Sequence, residues 1–380
     1  MVRALSRRFA YGRLLTLLTA AALLLQGCAE GGSGGGAKAA EAQSASGYAG
    51  KAATITVGYQ SPTAQTWGAL IVKNQKLFEK YLKELAPDDD VKVNWFDAPA
   101  GSVLNNNMIG GKIQLSFLGD MPSLLNGVLG ITQKNYHSVF LAFDGKGAVG
   151  RNQAIVVPNG SDIKSIEDLK GKTVSTPIGS SAHRMLLETL RQHGLVDDVK
   201  IVDQSVTVGM QSIEQNKIAA HATWAPYPNL IQYKGFGTIL SPGEATGIDY
   251  LAGVVANRDW AKQNRIYAVA FLKALNEAHA FAKAHPEETA RIFEQESGFP
   301  PEVCKTMVEN IRFDAAIYGK DVSTLKGSAA FLTSIGKLKA ALDLDAFIDD
   351  SYLREAVKST GKPYLTDEEL HGEWIADRTY

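Results

Sequence analysis

The sequence predicts an α/β fold: two lobes, each an open, mostly parallel sheet with helices, joined by two hinge crossings and followed by a helical C-terminal region. Three observations carry this. From Thr54 to Asn257, short runs of β-branched residues alternate with amphipathic runs at helical spacing, and serial β-α-β implies a mostly parallel sheet covered by helices. A glycine-rich break, Gly145–Gly150 (G-K-G-A-V-G), divides the alternation into two series. Each series also has a strand whose carboxyl end meets a proline-marked helix start: Leu118-Gly119-Asp120-Met121-Pro122 after Lys112-Ile113, and Thr223-Trp224-Ala225-Pro226-Tyr227 after Lys217-Ile218.

The first residues read as a tether. Arg3, Arg7, Arg8 and Arg13 precede an apolar run, Leu14–Leu25, too short to span a bilayer and typical of a signal peptide. It ends in Leu25-Gln26-Gly27-Cys28, the pattern of a bacterial lipobox. The expected division is therefore 1–27 signal peptide and 28–52 lipidated Cys28 with a Gly/Ser/Ala-rich linker, too poor in apolar residues to order itself. Residues 53–147 form the first part of lobe I, 148–242 lobe II, and 243–380 the return to lobe I with the C-terminal helices. Roughly 330 residues remain for folding, enough for sizeable cores. With 39 Lys+Arg against 40 Asp+Glu the net charge is −1, which gives no support for nucleic-acid binding. Once Cys28 is lipidated, Cys304 is the one cysteine left of two, so no intrachain disulfide forms, and its helical neighbours Val303 and Met307 place it in a core.

In lobe I, Thr54–Tyr59 reads as a strand, Trp67–Leu85 as one amphipathic helix, Val91–Phe96 as a strand, Val103–Ile109 as a helix, Leu115–Leu118 as a strand, Ser123–Leu129 as a helix and His137–Phe143 as a strand. In lobe II, Ala154–Val157, Lys172–Thr176, Lys200–Val206, Ala220–Trp224 and Phe236–Leu240 read as strands. Ser181–His193, closed by Gly194, and Val208–Asn216 read as helices. Ser165 with Asp168 approximates a capping box. Ser241-Pro242-Gly243 marks the return crossing, Tyr250–Asn257 a strand of the first sheet, and the sequence from Trp260 onward outer helices.

The stretch with most chemistry is Lys172–Met185, K-T-V-S-T-P-I-G-S-S-A-H-R-M. A strand that ends in a Gly/Ser turn and feeds a helix presents free N–H groups and the positive end of a helix dipole, an anion site built mostly of backbone. Ser180 and Ser181 either contact a ligand or only cap the helix, and His183 either faces the site or the surface. Gln60, Ser61 and Thr63 close the first strand's carboxyl end, where open α/β sheets bind ligands. Trp67 belongs either to that cleft or to the core. Gly119, Asp120 and Met121 occupy the matching turn of lobe I; Asp120 either caps its helix or faces the ligand, and in the second case it implies a ligand that also carries an amine or hydroxyl. Trp224 and Tyr227 either stack on the ligand's organic part or pack internally.

The lipobox, the Gly/Ser linker, the two α/β series and the string Ile163–Val174 (I-K-S-I-E-D-L-K-G-K-T-V) resemble the substrate-binding lipoproteins of ABC importers, in the nitrate/sulfonate/taurine branch that includes thiamine-precursor binders. Asn216 stands where that branch often has Gly, and Gln114 and Ala219 where it often has Asp. The resemblance implies a type II periplasmic-binding-protein fold, an extracytoplasmic monomer anchored to the membrane by its lipid, and capture of a small organic anion between the lobes. A sulfonate or related sulfur oxyanion is the leading expectation, with nitrate, bicarbonate or a thiamine-pyrimidine precursor as alternatives. It also implies delivery to an ABC permease and its ATPase; a ligand-presenting sensor or a fold-related enzyme would use the same lobes.

Enzymatic readings find little support. The sequence has no Walker motif, its seven histidines show no HExxH spacing, and no acid/base pair stands out in the cleft. No metal, cofactor or catalytic residue is expected.

Overall fold

A computed structural model describes residues 50–375. The signal peptide, Cys28 and nearly all of the linker lie outside the described residues.

The first lobe begins with β1 (Ala52–Tyr59), α1 (Gly68–Asn74), α2 (Leu77–Leu85), β2 (Asp90–Asp97), α3 (Gly101–Ile109), β3 (Leu115–Gly119), α4 (Asp120–Thr132) and β4 (Ser138–Gly147). After a short 3₁₀ turn come β5 (Gln153–Pro158), β6 (Thr173–Thr176), α5 (Ser181–Gln192), β7 (Lys200–Asp203), α6 (Val206–Glu214), β8 (Ala220–Trp224), α7 (Tyr227–Tyr233) and β9 (Gly237–Pro242). A second 3₁₀ turn leads to β10 (Tyr250–Asn257), α8 (Arg258–Gln263), α9 (Arg265–Ala284), α10 (Pro286–Ser297), α11 (Pro301–Asn310) and β11 (Arg312–Phe313). The remainder is helical: α12 (Gly319–Ser334), α13 (Leu344–Phe347), α14 (Ser351–Lys358) and α15 (Asp367–His371).

Two sheets result, ordered β11-β4-β10-β3-β1-β2 and β7-β6-β8-β5-β9. Most strands of each sheet run in one direction, with antiparallel members among them. β1 runs parallel to β2 and β3, but β10 is antiparallel to β3 and β4; in the second sheet β6 is parallel to β7 and β8, but β5 is antiparallel to β8 and β9. The reason is the crossing. β5 and β10 each enter their sheet from the crossing edge, where Gln153 pairs with Trp224 and Tyr250 with Gly147, so they run against the strands whose carboxyl ends lie at that edge.

Other differences are local. The helix expected over Trp67–Leu85 breaks at Lys76, which is left-handed at φ 51°. β4 continues through the glycine-rich break to Gly147, because Lys146 and Gly145 find strand partners in β10 and β11. α4 starts at Asp120, three residues before the expected start. β7 stops at Asp203 and α6 starts at Val206, with Ser205 as its cap. Of the capping box, Asp168 Oδ2 accepts from Ser165 N at 2.9 Å, while the cap position of the short 3₁₀ turn falls one residue later, at Ile166. Asn216 is left-handed at φ 52°, a conformation glycine adopts freely and Asn tolerates.

The first lobe's core forms where α9 lies on its sheet. Phe271 meets Phe78 and Phe117 edge-on at 5.2 and 5.6 Å, and burying each such ring stabilises by about 1.5–3 kcal/mol. Cys304 is fully buried in the same cluster, and burial pushes its thiol up to about 11.

In the second lobe, the His221 ring occupies the space a side chain at Gly209 would need; a Cβ there would lie 2.1 Å from Cε1. The ring is fully buried; Nδ1 lies 2.8 Å from Ser175 Oγ, and Nε2 has no hydrogen-bond partner. Burial pushes its pKa from 6.5 down to about 4, since an imidazolium there would lose its hydration. The unfolded chain takes up this proton near pH 6.5 and the folded chain only near 4. The contribution is therefore whole above pH 6.5 and is lost as pH falls toward 4. Between pH 7 and 4.5, wild type is expected to lose about 2 kcal/mol more unfolding free energy than His221→Gln, measured by urea denaturation. Equal losses would remove the buried imidazole as the cause.

Candidate functional site

A cavity of about 210 Å³ lies between the two sheets, lined by residues at the carboxyl ends of β1, β3, β6 and β8: Gln60, Gly119, Pro177 and Trp224. Three helices begin on it. α3 starts after Ala100, α4 after Gly119 and α5 after Ser180, and each caps with its N-terminal, positive end toward the cavity wall. Two glycines make this possible. A Cβ on Gly101 would lie 2.5 Å from Pro122 Cβ, so only glycine lets the start of α3 approach α4 this closely. Gly179 has φ 86°, which turns the chain sharply into α5.

Six of the twelve sequence-derived site residues line this cavity: Gln60, Thr63, Gly119, Ser180, Ser181 and Trp224. Trp224 also crosses between the lobes, its Nε1 donating to Pro62 O and Thr63 Oγ1, each at 3.2 Å. The other six lie off it. Trp67 is fully buried against Phe293 and Phe299, with ring centroids 5.0 and 5.8 Å away, so it is a core residue. Ser61 supports it, accepting from Trp67 Nε1 at 3.0 Å. Met121 packs in a hydrophobic cluster with Leu124 and Phe140. Tyr227 bonds Thr207 and packs on Phe299. His183 is buried; its Nδ1 accepts from Gly179 N at 3.2 Å and its ring meets Phe331. Burial holds its pKa below the usual value.

Asp120 is the sixth, and it faces the other lobe. It is buried, and its Oδ1 accepts from Ser181 Oγ at 2.5 Å and from Met121 N at 2.8 Å. Its Oδ2 accepts from Ser328 Oγ of α12 at 2.8 Å. Ser328 Oγ in turn accepts from the Arg184 guanidinium of α5 at 2.7 Å, which also reaches Thr324 O at 3.3 Å. Burial raises the Asp120 carboxyl above its usual range, against the lowering effect of Ser181, Ser328 and Arg184. This relay joins both lobes and α12. Of the two serines, Ser180 caps α5, its Oγ accepting from His183 N at 3.2 Å and keeping its own O–H to donate, while Ser181 Oγ donates to Asp120 across the lobes.

The sequence reading missed Ala100-Gly101-Ser102, Leu125, Ile178 and Tyr250, all on the cavity wall. One signal was available for the first group. Pro99-Ala100-Gly101-Ser102 after β2 repeats the P-x-G-S pattern of Pro177-Ile178-Gly179-Ser180 after β6. A larger cavity, about 520 Å³, lies among Lys146, Arg151, His279 and Arg312. Lys146, Arg151 and Arg312 are already paired with Asp321, Glu244 and Asp314, respectively, and His279 Nε2 lies 2.7 Å from Asp144 Oδ1. Among the described residues no cluster of His, Cys, Asp and Glu suited to a metal occurs.

Residues 150–289 match the NMT1/THI5-like family. Among curated proteins, the chain is 27% identical over 261 residues to a putative aliphatic sulfonates-binding protein of Escherichia coli, covering 67% of this chain and 75% of that one. It is 24% identical over 346 residues to a Bacillus subtilis protein of the same description, covering 90% and 96%. Among solved structures, the alkanesulfonate-binding protein SsuA of Xanthomonas axonopodis pv. citri bound to MOPS superposes with TM-score 0.67 at 22% identity, covering 79% of this chain and 99% of that one. The nitrate-binding protein NrtA of Synechocystis gives 0.66 at 16% identity, covering 82% and 89%. Residues 150–289 thus carry the NMT1/THI5-like pattern, and the described chain has the two-lobed periplasmic-binding-protein fold of these sulfonate- and nitrate-binding proteins.

Proposed function

We propose that the protein is an extracytoplasmic solute-binding protein of an ABC importer, tethered through a lipid on Cys28, that captures a small organic sulfonate between its lobes and presents it to the permease. The observation that carries this is the meeting of three helix starts, at Gly101, Asp120 and Ser181, around one interlobe cavity whose wall carries no charged side chain. Such a site favours an anion through backbone dipoles, and its small volume, against roughly 300–1,000 Å³ for drug-sized ligands, favours a small one. The names of the similar proteins point to the same ligand class. No reaction is implied: the wall offers neither a nucleophile beside a base nor a pair of carboxyl groups.

Calorimetric titration of the full-length chain in detergent, unfolded and refolded to remove carried-over ligand, tests the reading. Micromolar or tighter binding of an alkyl or aryl sulfonate, with nitrate and bicarbonate silent, is expected. Silence toward every sulfonate would overturn it. Asp120→Ala removes three hydrogen bonds from the interlobe relay and is expected to lower unfolding free energy by about 3 kcal/mol at about 1 kcal/mol each; a loss below about 1 kcal/mol in urea denaturation would show that the relay adds little. Cys28→Ser is expected to move the protein out of the membrane fraction, and persistence there would rule out the anchor.

A further inference from the structure

We infer that this cleft selects a monoanion with an uncharged, apolar tail and rejects the counterpart whose tail carries an ammonium group. The inference rests on the anion-binding reading above and concerns the ligand's other end. Among the described residues no charged side chain lines the cavity. The charges around the anion turn are committed elsewhere: Asp203 Oδ1 accepts from Ile178 N at 2.9 Å and lies off the cavity wall. The Asp120 carboxylate accepts from Ser181, Met121 and Ser328, and the Arg184 guanidinium donates to Ser328 and Thr324. Away from the helix starts the wall is formed by Pro122, Leu125, Pro177, Ile178 and the Trp224 ring, with Gln60, Thr63 and Tyr250 as uncharged polar groups.

These facts have opposite consequences for two tails of the same size. A methyl group that leaves water for this wall gains from burial. An ammonium group loses its hydration there and finds no carboxylate to replace it. A carboxylate stands one residue from Gly119 on the cavity wall, but it points into the interlobe relay and already accepts three hydrogen bonds there.

Propane-1-sulfonate and taurine form a matched pair: the head is shared, and a terminal methyl in one is an ammonium in the other. Titrating both into the full-length chain is expected to give a taurine affinity at least tenfold weaker than that of propane-1-sulfonate. A difference below tenfold, or tighter taurine, would mean that the Trp224 face or neutral hydroxyls serve the ammonium; that overturns this inference and leaves the anion site standing. Silence toward both, and toward longer sulfonates, overturns the sulfonate reading and this inference with it. Leu125→Asp places a carboxylate on the wall and is expected to shift the affinity ratio toward taurine by tenfold or more. An unchanged ratio in that variant, with thermal melting showing it folded, would overturn the placement of the tail against Leu125.

Discussion

The buried carboxylate of Asp120 constrains the rest of the site. A carboxylate taken out of water must be hydrogen-bonded or must take up a proton. Asp120 finds its donors on three separate elements: its own helix through Met121, the second lobe through Ser181, and α12 through Ser328. Those donors come together only when the lobes are in contact. Separating the lobes would expose Asp120 to water, which satisfies it equally well. The relay therefore fixes how the lobes fit together more than how firmly they hold, as expected of polar groups whose desolvation offsets much of their attraction.

The same arrangement explains why the cavity is neutral. With Asp120 and Arg184 bound to each other's neighbours, what remains for a ligand are dipoles: the starts of α3, α4 and α5, each equivalent to roughly half a positive charge. Dipoles fixed by the backbone need no reorganisation to receive an anion. They also avoid a full ion pair in a dry cleft, where the Coulomb attraction would be several times stronger than at a protein surface. In the role proposed above, that restraint would ease release of the ligand.

How much of this was legible in the sequence depended on whether the deciding contacts were local. β8 and β10 stand at the bounds read from the sequence, Ala220–Trp224 and Tyr250–Asn257, and the turn read at Pro177, Gly179 and Ser180 lies on the cavity wall. The antiparallel entry of β5 and β10 was not legible, since strand direction depends on pairing across the whole lobe. Two tryptophans near strand ends looked alike. Trp67 is drawn into the core by Phe293 and Phe299, more than two hundred residues downstream, while Trp224 meets Pro62 and Thr63 across the cleft. Asp120 reads as a helix cap or a ligand group from its neighbours alone; its partner Ser328 lies 208 residues away.

The helical C-terminal region is more than an outer layer, and α12 shows why. Near its start, Asp321 forms a fully buried ion pair with Lys146 of β4 at 2.7 Å and also accepts from Trp374 Nε1 at 2.8 Å. Lys146 lies just before the crossing and donates to Ala316 O at 2.7 Å as well. Removing one partner of such a pair leaves an uncompensated buried charge and costs about 3–5 kcal/mol, so this end of α12 is fixed to the strand that leads out of the first lobe. Farther along, Thr324, Ser328 and Phe331 meet Arg184 and His183 of the second lobe, and Gly327 leaves room for the guanidinium: a Cβ there would lie 2.4 Å from the Arg184 side chain. One rigid helix thus touches the crossing strand at one end and the anion turn's helix at the other. Parting the lobes would break the second contact, which joins α12 to α5, whereas the first joins α12 to β4.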